Sequence, residues 1–143
     1  MKFLAIDIGK KRIGVASCDR LELAATPHSF VPADKSAAGA IVKLIATEEA
    51  EGLVVGLPLS MDGSERDACE RVRSFMGRLR PLLRVPFWYI DERLTTKIAE
   101  ASLIEADVRR EKRRELRDAV AASLILQQFL DCRRAGQTLQ PEV

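Results

Sequence analysis

The chain has 143 residues, 47% of them hydrophobic and 31% charged, with a formal net charge of +2. That length suits one domain able to bury its own core, and no apolar run approaches the ~20 residues of a bilayer-spanning helix. Cys18, Cys69 and Cys132 are far apart and form no CxxC pair. With no signal-peptide pattern at the start, this argues against a disulfide framework or zinc site and for a reducing cytoplasm.

In chain order, FLAIDIG (3–9) and RIGVASCD (12–19) read as two strands of a hairpin turned at GKK. LAATPHSFV (23–31) is a third strand, and its Pro27 predicts an edge position or a bulge. ADKSAAGAIVKLIATEEA (33–50) has helical spacing through Ile41, Leu44 and Ile45. GLVVGLPL (52–59) is a continuous apolar run of the buried parallel-strand kind. Ser64 followed by Asp67 resembles a capping box, opening a helix that runs to about Leu79. VPFWYIDE is the next strand, and TTKIAEASLIEADV a helix capped by Thr95 or Thr96. The last long helix begins within RREKRRELR (109–117) and continues through RDAVAASLILQQFLD. Residues 1–134 are expected to form the domain and 135–143 a loose tail. Two hairpin-linked strands followed by alternating helices and strands predict an α/β fold, a mixed sheet with helices on both faces.

Charge is unevenly placed: residues 1–70 carry a net −3 and residues 71–143 a net +5. The basic run from Arg109 reads either as a solvated helix face or as a surface for phosphates.

Three acids stand out by position. Asp7 lies inside an otherwise apolar strand, Asp91 and Glu92 end the last strand, and Asp118 opens the apolar part of the last helix. Ala121 and Ala122 would let that helix press close to the sheet. An acid alone is most simply a capped turn or a salt bridge, and Asp118 has Arg114 and Arg117 beside it. Asp7 resists that explanation, because burying a carboxylate costs several kcal/mol, on the order of general burial estimates, unless a partner is supplied. A divalent cation is such a partner, and magnesium favours carboxylate and water oxygens. GKKRIG has Gly-x-x-x-x-Gly spacing, but Val15 and Ala16 follow where a phosphate-binding loop needs Lys and Ser or Thr. The single histidine, His28, has no partners for a catalytic triad and reads as a strand residue.

Taken together, AIDIGKKRIGVASCD, VVGLPLSMDGSE, IDERLTT and DAVAASLILQQFL closely resemble the YqgF/RuvX family, in the family's order and across nearly the whole chain. Ser60 stands where many members have Asn. These are bacterial RNase H-like proteins, described as pre-16S rRNA nucleases and as Holliday junction resolvases. The resemblance implies a five-stranded mixed sheet in order 3-2-1-4-5, with strand 2 antiparallel. It implies metal-dependent hydrolysis of phosphodiester bonds by Asp7, Glu92 and Asp118 holding Mg2+ or Mn2+, two ions in such sites. Asp91 is a further candidate ligand, and strand alternation sends Asp91 and Glu92 to opposite faces. Lys10, Lys11 and Arg12 in the hairpin are candidate contacts to nucleic acid, Arg12 foremost because its planar fork suits phosphate. So are Ser64 at a helix start, Arg93, and Arg109, Arg110, Lys112, Arg113 and Arg114.

The expected function is therefore processing of the 5′ end of pre-16S rRNA, with junction resolution in DNA repair as the alternative. A non-catalytic nucleic-acid module is a third reading, which the survival of all three acids disfavours. An actin-like or sugar-kinase ATPase shares the hairpin pattern but needs two domains. A monomer is expected, since no heptad seam is visible and Phe87, Trp88 and Tyr89 read mostly as core.

Overall fold

The computed structural model describes residues 1–60, 62, 65–92, 110–137 and 139–142, with the backbone only for 110–116. Five strands form one sheet: β1 (Phe3–Ile8), β2 (Arg12–Cys18), β3 (Ala25–Pro32), β4 (Gly52–Leu57) and β5 (Phe87–Asp91). Their spatial order is β3-β2-β1-β4-β5. β2 is antiparallel to β1 and β3, while β4 and β5 run parallel to β1. Helices α1 (Ala37–Thr47), α2 (Asp67–Leu79) and α3 (Arg110–Arg134), with a short 3-10 turn at Arg80–Leu82, complete the described elements. Fold class and strand order are those expected from the sequence.

Side chains alternate across the sheet with a period of two, so each strand divides its residues between two cores. Leu4, Ile6 and Ile8 of β1 join Ile41 and Ile45 of α1 and Val72, Phe75 and Met76 of α2. Phe3 and Ala5 face the other way, against Ala122, Ile125, Leu126 and Phe129 of α3. The rings of Phe3, Trp88 and Phe129 meet with centroids 4.9–5.7 Å apart, pinning the C-terminal half of α3 to the sheet. Asp7 is the next residue in the Phe3–Ala5 phase and so sits under α3.

Local chemistry moves some boundaries. β3 starts at Ala25 rather than Leu23, because the Leu23 amide donates to the Asp19 carboxylate at 3.0 Å in a turn where Glu22 has φ 56°. β3 is an edge strand, as Pro27 suggests. Val15 pairs with Ser29 and Ala16 with Pro27, which leaves His28 as the bulged residue. His28 is hydrogen-bonded to Ser29 and Glu48, a structural arrangement. α2 begins at Asp67, after an extended Arg66 that makes no side-chain cap. Asp67 and Glu70 instead place negative charge in its first turn, where the helix dipole favours it. Ser64 and the expected helix over TTKIAEASLIEADV lie outside the described residues. After α3 the chain returns to β5, where the Glu142 amide donates to the Phe87 carbonyl at 2.8 Å and the Trp88 indole N–H to the Leu139 carbonyl at 3.3 Å.

Close approach of α3 to β2 depends on Gly14. A Cβ there would lie 1.9 Å from the backbone oxygen of Asp118 and 2.2 Å from its carbonyl carbon. Backbone cannot yield as a side-chain tip can. Gly39, inside α1, would meet nothing within 4 Å. Gly14→Ala should therefore destabilise by about 1–3 kcal/mol, the usual range for overpacking. Gly39→Ala should stabilise by up to ~1 kcal/mol through helix propensity. Chemical denaturation of the two variants checks the opposite signs.

Candidate active site

The carboxyl of Glu92 reaches the same sheet face as Asp7. The Glu92 amide donates to the Leu57 carbonyl at 3.2 Å, extending the β4–β5 ladder one residue past the strand. Alternation therefore continues, placing Glu92 with Trp88 and Ile90 on the α3 face and Asp91 with Phe87 and Tyr89 on the other. β4 lies between β5 and β1, so Glu92 must lean across it to meet Asp7. Gly56 makes that possible, since a Cβ there would be 2.3 Å from Glu92 Oε2 and 2.5 Å from Ile125 Cδ1. Gly14 pairs directly with Asp7 in the β1–β2 register. Asp7 is thus flanked by a glycine on each neighbouring strand, one admitting the Glu92 carboxylate and the other the Asp118 backbone.

Asp118 opens the sheet-facing stripe of α3 that continues through Ala122, Ile125 and Phe129, at the spacing that keeps residues on one helix face. Its Oδ2 accepts from Arg12 Nε at 2.8 Å. Both members of the Arg12–Asp118 pair are half-buried, and the Arg12 guanidinium also lies 5.8 Å from the centroid of the Phe30 ring.

Asp7 and Glu92 share a hydrogen bond in a desolvated setting. Burial pushes Glu92 up to about 9, and the adjacent Asp7 charge and the hydrogen bond to it add to that rise. Asp7 is also raised, first by burial and then by the Asp118 charge, while the Glu92 hydrogen bond and Arg117 oppose the rise. Both shifts favour the neutral form, so the pair keeps a proton that ordinary carboxyls would have lost. This is the familiar behaviour of two carboxylates that cannot both ionise in one site.

Among the described residues, no three Asp, Glu, His or Cys side chains are drawn together tightly enough to hold a metal ion. Asp118 is turned to Arg12, and the other two are joined by a proton. The donor chemistry nevertheless fits a hard divalent cation: carboxylate oxygens in a site where their own repulsion and burial leave a proton to be displaced. Asp7 and Glu92 could hold such an ion, with Asp118 as a third ligand on exchanging Arg12 for it. Asp91 projects from the opposite face and is separated from this pair by the sheet.

Of the candidate contacts to nucleic acid, Lys10 and Lys11 are exposed at the tip of the β1–β2 turn, closed by Gly9 N–H donating to the Arg12 carbonyl at 2.9 Å. Arg12 points to Asp118. Ser64, Arg93 and Arg109 lie outside the described residues, as do the side chains of Arg110, Lys112, Arg113 and Arg114 in the first turns of α3. Gly14 and Gly56 are the determinants that motif reading passed over. A lone glycine inside a strand is itself a signal of close backbone approach.

Comparison with known proteins gives a consistent picture. A family model described as "RuvX: Holliday junction resolvase" matches residues 1–132. A protein of Chelativorans sp., provisionally named pre-16S rRNA nuclease, is 45% identical over 128 residues, covering 88% of this chain and 80% of that one. Another from Roseiflexus sp., with the same name, is 42% identical over 135 residues, covering 93% and 96%. In fold, the chain resembles Thermus thermophilus RuvC in complex with a Holliday junction, with a TM-score of 0.62 and 17% identity over 99% of both chains. It also resembles the fowlpox virus resolvase bound to junction DNA, with a TM-score of 0.59 and 10% identity over 93% and 99%.

The shared proton has a measurable signature. Glu92 stays protonated in the fold up to about pH 9, whereas the unfolded chain loses that proton near its ordinary 4.5. Folding therefore takes up a proton between these values. The resulting stability is fully present below the lower value and lost as pH rises toward the upper one, by at most ~1.4 kcal/mol per pH unit. Denaturation in chelator from pH 5 to 9 should show this decline. Glu92→Gln keeps a donor to Asp7 and should flatten it.

Proposed function

The chain belongs to the RuvX family, and on that footing we propose that it is a divalent-metal-dependent nuclease whose site is Asp7, Glu92 and Asp118 and whose substrate is the precursor of 16S rRNA. The family is one of nucleases. The observation that carries the site assignment is the meeting of the Asp7 and Glu92 carboxyls between two glycines, Gly14 and Gly56. A polypeptide has little structural reason to put two acids there, and a cation that replaces the proton gives it one.

When bound, a divalent cation supplies Lewis-acid polarisation of a phosphate and an acidified water. The rest falls to this chain's side chains. Asp7 and Glu92 would act as carboxylates, so the proton on Glu92 leaves on loading. Asp118 would turn inward and release Arg12. Freed, Arg12 would place its planar guanidinium, backed by the Phe30 ring, against a non-bridging oxygen of the substrate. The β1–β2 turn would present Lys10 and Lys11 to flanking phosphates.

Junction resolution is the second reading, favoured by the description of the family model. It calls for two active sites held at a fixed separation, hence a dimer interface of typically ~800 Å² per partner. Against it, the apolar stripe of α3 is used within the domain: Ala122, Ile125, Leu126 and Phe129 are all inaccessible to solvent. Processing an RNA end needs one site.

Asp7→Asn should fold like wild type yet lose cleavage by more than ~100-fold, the upper end for merely disturbing a ligand's surroundings. Mn2+ at a hundredfold excess over Kd should stabilise the wild type by about 2.7 kcal/mol, and the triple replacement of Asp7, Glu92 and Asp118 should abolish that gain. Cleavage of precursor rRNA and of a four-way DNA junction under matched salt and metal, together with sedimentation, tests the substrate. A stable dimer that cuts junctions symmetrically and leaves the RNA intact would reverse the order.

A further inference from the structure

Beyond the β1–β2 turn, on the sheet face opposite Asp7, a cleft of ≈ 90 Å³ opens between the turn and α2. By the same kind of measure one water needs ~10–15 Å³, so a group the size of a phosphate has room. Ile8, Ile13 and Phe75 are among its apolar lining, and Lys10, Arg71 and Arg78 are its cations. Asp34 is the one acid on the rim, and its Oδ1 already accepts from the Ser36 amide and hydroxyl.

The arginines of α2 and of its N-cap position, Arg66, fall into two groups. Arg66 pairs with Asp62, and Arg73 with Glu65. Arg71 and Arg78 have no ion pair among the described residues, and Arg78 only lies over Phe75 at 5.9 Å from the ring centroid. Lys10 is likewise without an ion pair among them. Arg71 and Arg78 are seven residues apart, two helical turns or ~10.5 Å along the axis. They bracket the cleft from one wall while Lys10 faces them from the turn. Cations that repel one another around a small concavity are stabilised by an anion between them, and guanidinium forks favour phosphate.

We infer that Lys10, Arg71 and Arg78 form a binding site for a backbone phosphate of the nucleic-acid strand, separate from the carboxylate site and on the other side of the hairpin rim. Ile8 and Gly9, which line the cleft, follow Asp7 directly. At ~3.3 Å per residue, Gly9 is about 7 Å further along the strand direction. A strand whose reacting phosphate lies at Asp7 can therefore cross the rim and set a neighbouring phosphate in the cleft. This inference rests on the nuclease reading for the direction of the strand, and it draws nothing from the basic start of α3.

The test is binding of a fluorescent single-stranded RNA oligonucleotide in chelator, where nothing is cut, across a salt titration. Arg71→Gln/Arg78→Gln should flatten the slope of log K against log salt by up to ~0.7, the share of the one phosphate of a single strand that is no longer neutralised. Arg71→Lys/Arg78→Lys should restore most of it. Arg66→Gln/Arg73→Gln removes the same charge from the same helix and should leave the slope unchanged. In metal-dependent cleavage the first pair should raise KM with kcat preserved. An unchanged slope in Arg71→Gln/Arg78→Gln, or an equal flattening in the Arg66→Gln/Arg73→Gln control, would overturn the proposal. A flattened slope specific to Arg71 and Arg78, in a wild type that cuts neither RNA nor DNA, would support the cleft and remove the nuclease reading instead.

Discussion

The meeting of the Asp7 and Glu92 carboxyls is the feature on which the rest of the structure turns. Two carboxyl groups reach one desolvated point in the middle of a sheet, and the protein accommodates them by keeping one neutral. Everything around them serves that approach. β4 must be bare at Gly56 for Glu92 to lean across, and β2 must be bare at Gly14 for α3 to come down. The strand order β3-β2-β1-β4-β5 puts β1 at the centre, so Asp7 has a strand on either side and a helix above. Burial that would be ruinous for a lone ionised acid becomes tolerable for a pair sharing a proton.

A second ionic contact balances the third acid. Asp118 could add a further negative charge to an already crowded point, and it does raise Asp7. Arg12 draws it aside with a 2.8 Å contact from the far end of the hairpin, 106 residues away in sequence. One guanidinium thus stands where a cation is needed. The same side chain lies 5.8 Å from the centroid of the Phe30 ring, and in the proposed function it is the group that would meet a substrate phosphate. Stability of the resting site and readiness for an anion are two consequences of one arginine's position.

Much of this was legible in the sequence. An acid in the middle of FLAIDIG announces itself, because an apolar strand with alternating burial has no other use for it. The hairpin, the continuous apolar run GLVVGLPL and the long apolar helix indicate a mixed sheet with helices on both faces, and the strand order was expected from the family resemblance. Pro27 marked its strand as an edge with a bulge. What could not be read depends on tertiary register. Whether Glu92 or Asp91 faces Asp7 is a question of phase, settled only by the Glu92–Leu57 hydrogen bond that carries alternation past the strand end. That Asp118 also has a distant partner, Arg12, could not be read from the local sequence. Ala121 and Ala122 were expected to admit the helix and both are buried, while the need for Gly14 on the strand beneath, where any Cβ would meet the Asp118 backbone, was not foreseen. Nothing in the sequence sets Arg71 and Arg78 apart, because only the fold brings the turn carrying Lys10 opposite them.

The central claim is that a divalent cation takes the place of the shared proton, and proton release on metal binding tests it most directly. Calorimetric titration with Mn2+ at pH 7.5, in buffers of different ionisation enthalpy, counts the protons released per ion bound. Release of about one proton is expected from the wild type, since Glu92 is held protonated to about pH 9, and none from Glu92→Gln if that variant still binds. Tight binding to the wild type with no proton released would contradict the claim.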